Sequence, residues 1–440
     1  MKTIRLIPLS LAIGAIFTLP VRAQSLVDLY ESARGFDAGY QSAKALYEAN
    51  LAKAEQAQAA VLPSVGLAMG ANRTNISSDT AAFNRGSYGS QSATVSASQP
   101  LYRPFNSASA EQGKKSIEVS QAQLLSADQD LIVRVSQAYF EVLASADSLN
   151  FVKAQKAAVA EQLASAKRNF EVGTATITDT REAQARFDLV LAQEIAAEND
   201  LRVKKIALDQ LTGKVGAEPK PILLPVAIPA IAPDDVNRWV SQSEEVHPSI
   251  KQAQLGLEVA QLETQKAQAG HKPTLDLIGS YNVTNNNGAA TVASDYRANV
   301  AAINLSFNLP LFAGFATQNR IKETLALEDK SRADLEAARR GVAQATRTAF
   351  FGVQSGLGQV KALEAAEASS QSALDATKLG YQVGVRINID VLNSQSLLFD
   401  TKAKLAKARY DVVLGSLKLR QANGTLKSDD LSAINALLAK

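Results

Sequence analysis

Gln99-Pro100-Leu101-Tyr102-Arg103-Pro104-Phe105 returns about 210 residues later as Leu309-Pro310-Leu311-Phe312-Ala313-Gly314-Phe315. Pro100, Leu101 and Phe105 fall on Pro310, Leu311 and Phe315. One step later in register, Phe170-Glu171-Val172-Gly173 returns as Tyr381-Gln382-Val383-Gly384, Asp179 as Asp390, Gln184 as Gln395 and Gly213 as Gly424. Matches spread over half a chain with a single one-residue slip mark a duplication, and a repeat constrains every fold assignment that follows. The chain divides into a first unit at 24–212, a Pro-rich connection at 213–233 and a second unit at 234–440.

Just upstream of each quoted segment the apolar period is two. Val65, Leu67, Met69 and Ala71 alternate with small or polar residues after Pro63, and Ala93, Val95 and Ala97 alternate with Ser and Thr before Pro100. The second unit repeats this more strongly after Pro273, with Leu275, Leu277, Tyr281 and Val283, and before Pro310, with Ala301, Ile303, Leu305, Phe307 and Leu309. The spacing predicts strands at about 64–76, 89–100, 274–285 and 297–310, with the four prolines at the strand-to-helix junctions and polar loops at Ser77 to Ser90 and Asn285 to Tyr296. Taken alone, such strands fit a soluble antiparallel sheet as well as a membrane barrel. Each hairpin is flanked by very long helices, however, and no other element is available to cover a sheet. Bacterial barrels begin at about eight strands and lipid tolerates no open sheet edge, so a four-stranded contribution must be shared among subunits.

Downstream of the quoted segments the chain runs without proline from Asn106, a candidate cap, to about Phe170, and from about Ala316 to Leu379. At 1.5 Å per residue each helix is on the order of 100 Å long, and shorter ones at about Ser25 to Leu62 and Thr180 to Leu211 reach about 50 Å. The unit reads as short helix, strand hairpin, long helix, a turn at Val172-Gly173-Thr174, and a returning short helix. Alanine-rich faces (Ala154, Ala157, Ala158, Ala164 and Ala166; Ala362, Ala365, Ala366, Ala368 and Ala373) suit close helix packing, and would also suit a generic coiled coil. The connection carries Pro219, Pro221, Pro225, Pro229 and Pro233, and its apolar residues, including Ile222, Leu223 and Leu224, are expected to pack on the helices.

The N-terminus reads as an export signal over 1–23, with Lys2 and Arg5, the apolar run Leu6 to Leu19, and Val21-Arg22-Ala23 before Gln24. Its removal takes the formal charge from +3 to 0, so no nucleic-acid partner follows from the apparent basicity. Cysteine is absent, which excludes a disulfide scaffold. His247 and His271 are the only histidines and form no ligand-spaced pair, and the phosphate-loop, nucleophile-elbow and HExxH patterns are missing. The expectation is a chain that is not an enzyme, with no catalytic residues, no metal site and no cofactor.

The mature chain resembles the TolC family of outer-membrane exit ducts. The resemblance rests on Tyr139-Phe140-Glu141-Val142-Leu143, Phe170-Glu171-Val172-Gly173 with Ile177-Thr178-Asp179, His271-Lys272-Pro273-Thr274-Leu275-Asp276-Leu277, Leu309-Pro310-Leu311-Phe312, Gly380-Tyr381-Gln382-Val383-Gly384 with Asp390-Val391-Leu392-Asn393, and Asn423-Gly424-Thr425-Leu426. It implies a mixed α and transmembrane β fold: a homotrimer whose twelve strands form one outer-membrane β-barrel, continuous with a long periplasmic α-helical barrel. It also implies partnership with a periplasmic adaptor and an inner-membrane transporter, in drug efflux, type I secretion, or both. A periplasmic coiled-coil scaffold or adaptor without a pore is the alternative.

The resemblance further implies an entrance latch at Thr178, Asp179, Tyr381 and Arg386, in which the Arg386 guanidinium meets the Asp179 carboxylate and its loss loosens the entrance. A purely local reading makes Asp179 with Glu182, and Asp390 with Asn393, helix caps. Asp390 matches an acidic constriction ring. Asn393 stands where well-known relatives carry a second acid, so cation preference and block by multivalent cations should be weaker.

Overall fold

The computed structural model of the chain describes residues 23–77, 86–223, 231–288 and 294–439. Most of the expected signal segment, residues 224–230 of the connection with Pro225 and Pro229, and the centres of both polar loops lie outside the described residues.

The duplication is visible element by element. The first unit runs α1 (Leu26–Phe36), α2 (Ala38–Ala59), β1 (Ser64–Ile76), β2 (Gly86–Tyr102), α3 (Pro104–Glu171) and α4 (Ile177–Thr212). The second runs α5 (Val236–Val246), α6 (Pro248–Ala269), β3 (Thr274–Asn287), β4 (Tyr296–Asn308), α7 (Ala316–Gln382) and α8 (Asn388–Asn423), followed by α9 (Asp429–Asn435). The helices of 68 and 67 residues are each about 100 Å long.

Local chemistry moves two boundaries away from the sequence expectation. The first short helix is two helices, because Asp37 turns extended and its carboxylate accepts from Tyr40 N (2.8 Å) while receiving the Arg134 guanidinium (2.9 and 3.0 Å). The second unit breaks at the matching place, where His247 Nδ1 accepts from Ser249 N (3.1 Å). Asn106 is not a cap: α3 starts at Pro104, whose missing N–H costs nothing in a first turn, and the Asn106 amide donates to Ala60 O (2.6 Å). Each returning helix ends on a left-handed glycine that closes against the break in its own unit. A Cβ on Gly213 (φ 69°) would lie 2.6 Å from the Phe36 ring, and one on Gly424 (φ 83°) 2.6 Å from His247 Cα.

The main core sits midway along the long helices. Leu131, Ile132, Val135 and Tyr139 of α3 pack against Leu26, Leu29 and Tyr30 of α1, Val413 and Leu417 of α8, and Leu431 and Ile434 of α9. Ile222 of the connection joins this core and bridges to Leu438, whereas Leu223 is exposed. Tyr139 Oη donates to Lys220 O (2.9 Å), and Gln129 Nε2 donates to Gly424 O and Leu426 O (3.1 and 3.0 Å). The connection and the C-terminal segment are thereby strapped around the helical waist. Of the ten alanines expected on packing faces, only Ala166 is buried within one copy. At that level the core is made instead by Val159, Leu163, Val190 and Leu392.

Candidate functional site

The strands form one antiparallel sheet in the order β1-β2-β3-β4, so the two hairpins join through β2 and β3 and the sheet ends on two unpaired edges, β1 and β4. Register puts Leu67, Val95, Tyr281 and Ala301 in one cross-strand row and Val65, Ala97, Gly279 and Ile303 in the next. That face is apolar and open: Met69 is 77% and Ile303 83% exposed. The alternate rows, Ser96 with Ser280 and Thr94 with Asn282, make the other face polar, and Thr94 Oγ1 donates to Asn282 Oδ1 (3.1 Å). Among the described residues no helix is long and apolar enough to cross a membrane.

The four junction prolines fall where backbone donors are dispensable. Pro63 and Pro273 immediately precede β1 and β3, Pro310 follows β4, and Pro100 lies at the irregularity in the β2–β3 ladder between Pro100 and Tyr102. Just past it Arg103 donates from Nε and Nη2 to both oxygens of Asp276 (2.7 and 2.6 Å). Asp276 is buried, and this bidentate pair ties the first unit's sheet-to-helix passage to β3 of the second. The sequence offered Asp276 only as part of a motif, and Arg103 lay 173 residues away.

At the far end of the helices the two turns are built alike, on Gly173 (φ 80°) and Gly384 (φ 81°). Thr176, not Asp179, caps α4. Asp179 is the third helical residue of a capping box, its N–H donated to Thr176 Oγ1 (3.2 Å) and its carboxylate accepting from Thr176 N (2.9 Å) and Oγ1 (2.8 Å). Asp390 occupies the same place in α8, but its cap is Ile387, which has no side-chain acceptor, so the local reading of Asp390 and Asn393 as a cap does not hold. Thr178 is exposed at the tip.

Within one copy the Arg386 ion pair is with Asp390 (3.7 Å), reaching from the turn before α8 to its first helical turn four residues on, and the Asp179 carboxylate is occupied by its capping box. The Arg386 stem lies across Gly380, where a Cβ would come 2.8 Å from its Cγ. The turns are instead joined by amides and one guanidinium. Asn169 Nδ2 donates to Tyr381 Oη (3.3 Å), Asn388 Nδ2 to Asp179 O (3.5 Å), Gln162 Nε2 to Asn388 Oδ1, and Arg186 Nη2 to Asn393 Oδ1 (2.7 Å). Asn388 is buried, and none of Asn169, Gln162, Arg186 or Asn388 was singled out by sequence reasoning. Their only prior signal was proximity, in the chain, to the repeated Phe-Glu-Val-Gly and Tyr-Gln-Val-Gly turns. Among the described residues no cluster of His, Asp or Glu could hold a metal ion.

Comparison with known proteins matches this architecture. The family model described as "Outer membrane efflux protein" covers residues 29–214 and again 239–425, once for each unit. The chain is 34% identical over 435 residues to outer membrane protein TolC of Vibrio cholerae, covering 98% of each. It is 29% identical to the alkaline protease secretion protein AprF of Pseudomonas aeruginosa, over 94% of this chain and 87% of that one. The solved structure of VceC, an outer membrane protein of Vibrio cholerae, superposes with a TM-score of 0.79 at 19% identity over 91% of this chain and 96% of its own.

Proposed function

The chain belongs to the outer membrane efflux protein family, which makes it an outer-membrane channel for efflux or secretion and not an enzyme, and from that premise we propose how its parts conduct. Three copies join edge to edge, β1 of one against β4 of the next, into a twelve-stranded barrel. The observation that carries this reading is the sheet itself, with two open edges, one face apolar and exposed, and one face polar. Open edges cannot stand in hydrocarbon, and four strands cannot close on themselves, so closure requires further copies. The polar rows of Ser, Thr and Asn then line the lumen and the apolar rows meet lipid.

The helices continue the duct into the periplasm, where an adaptor and an inner-membrane transporter supply energy and choice of cargo. Drugs, other small molecules and proteins are all compatible cargo for a duct without coupling machinery of its own.

The far turns are the gate. Tyr381 with Asn169, and Asn388 with the Asp179 carbonyl, hold the α7–α8 hairpin against the α3–α4 hairpin, while Thr178 and Asp179 form the facing tip. Arg386 restrains Asp390, whose three copies make a ring of negative charge attractive to cations. Single-channel conductance of the purified protein in a planar bilayer tests the whole reading, with wild type compared against Arg386→Ser, Tyr381→Phe. A small wild-type conductance that rises in the variant supports pore and gate together. Well-folded trimers of both forms without channel activity would favour a poreless scaffold.

A further inference from the structure

At the base of the sheet, where strands pass into helices, each copy exposes an aromatic and aliphatic collar with one basic group on it. We propose that this collar is a phospholipid site: Lys272 binds the anionic headgroup of a phospholipid in the periplasmic leaflet, and Leu311, Phe312 and Phe315 take its acyl chains. The proposal rests on the outer-membrane placement given above and adds a ligand to it.

The collar is continuous with the apolar face of the sheet. Tyr102, Leu275 and Phe307 form the last row of that face, because the irregularity after Pro100 re-aims Tyr102 onto it. Just beyond, Leu311 is 89%, Phe312 73% and Phe315 63% exposed, and the two rings meet edge to face with centroids 5.5 Å apart. Aromatic rings at the level where hydrocarbon ends favour the headgroup interface.

The basic group is on the adjoining segment of chain. Thr274 pairs with Asn308, and a Cβ on Gly270 would lie 2.9 Å from Thr317 Cγ2, so segments 270–274 and 308–317 run side by side. Lys272 is exposed and makes no ion pair among the described residues, and Asp276, four residues on, is engaged by Arg103. A lysine with a free ammonium beside apolar surface is suited to an anionic headgroup. The matching position of the first unit is Leu62, also exposed, so each copy carries one such charge.

The test uses Phe312→Trp, since the single natural tryptophan, Trp239, is buried in a separate cluster on α5. The channel is reconstituted in phosphatidylethanolamine vesicles doped with brominated phosphatidylglycerol or brominated phosphatidylethanolamine, and conductance is recorded from the same preparation. Expected is quenching of the F312W signal above wild type, with phosphatidylglycerol preferred about fivefold, the ratio that corresponds to one lysine near an anionic surface. Adding Lys272→Gln, which removes the charge without reversing it, should bring the preference to about one while quenching persists. Absence of quenching by either lipid would overturn the collar. Equal quenching by both in the Lys272 protein, or loss of the preference on adding soluble glycerol phosphate, would overturn the lipid headgroup site. Absence of conductance would instead count against the channel reading beneath it.

Discussion

Replacing Tyr381 with Phe removes one hydroxyl from the contact between the two turns and leaves the ring in place beside Leu374, Val391 and Leu398. The lost interaction is a neutral hydrogen bond from Asn169 at 3.3 Å between half-buried groups. Such a bond contributes about 0.5–1 kcal/mol net. If three copies open together, the closed state loses about 1.5–3 kcal/mol, which multiplies the opening equilibrium roughly 10- to 150-fold. An entrance open about one part in a hundred would then be open about one part in ten or more. Open probability in planar bilayers reads this directly, and ionic strength separates it from an ion-pair effect: a neutral bond is unscreened, so the gain should persist between about 0.1 M and 1 M salt, where the screening length falls from about 10 to 3 Å. An unchanged open probability, or a gain that vanishes at high salt, would refute the assignment of Tyr381 to a neutral latch.

Arg103→Ala should cost the assembled channel about 2–3 kcal/mol in resistance to heat or urea, since it strands a buried Asp276; the arginine's partial exposure keeps the figure below that of a fully buried pair. The double change Arg103→Ala, Asp276→Asn should recover most of the loss, and a neutral single variant would show that the junction is held elsewhere. Lys266, with Gln112 and Arg320 beside it, holds the Glu263 carboxyl down at about 2 against an ordinary 4.5. The stabilisation is therefore full above about pH 4.5 and lost as pH falls toward 2, and acid unfolding of Glu263→Gln should lack that component while being weaker by about 1 kcal/mol at neutral pH, solvent screening around this open cluster keeping the figure small. Asn393→Asp should strengthen block by multivalent cations only modestly, because Arg186 lies 2.7 Å from the amide oxygen that the new carboxylate replaces. Adding Arg186→Gln should release the full effect, and equal block in both variants would argue against Arg186 as the neutralising group.

Much of the molecule was legible because its signals are periodic and occur twice. Alternation at Val65, Leu67 and Met69, repeated at Leu275, Leu277 and Tyr281, needs only the pleat of a strand to be interpreted. The absence of proline over some sixty residues needs only the helix ladder. The break at Asp37 was missed because nothing in the short run around it forbids a helix; what ends the helix is Arg134, 97 residues away, which rewards the carboxylate for turning aside. Asn106 looked like a cap by residue type, yet its amide was claimed by a carbonyl 46 residues back.

The chain's own order of residues thus determined the duplicated unit, the long helices, the two faces of every strand and the membership in a family of outer-membrane ducts, since propensity, period and motif act over a few residues at a time. Only the tertiary structure decided which side chains meet across the chain: Arg103 with Asp276, Tyr381 with Asn169, Arg186 with Asn393. A guanidinium or an amide binds whichever acceptor arrives within about 3 Å in the right direction, and that choice is made when helices on the order of 100 Å long pack at a particular rotation and offset, a property of the whole assembly of cores and caps and of no single stretch of sequence.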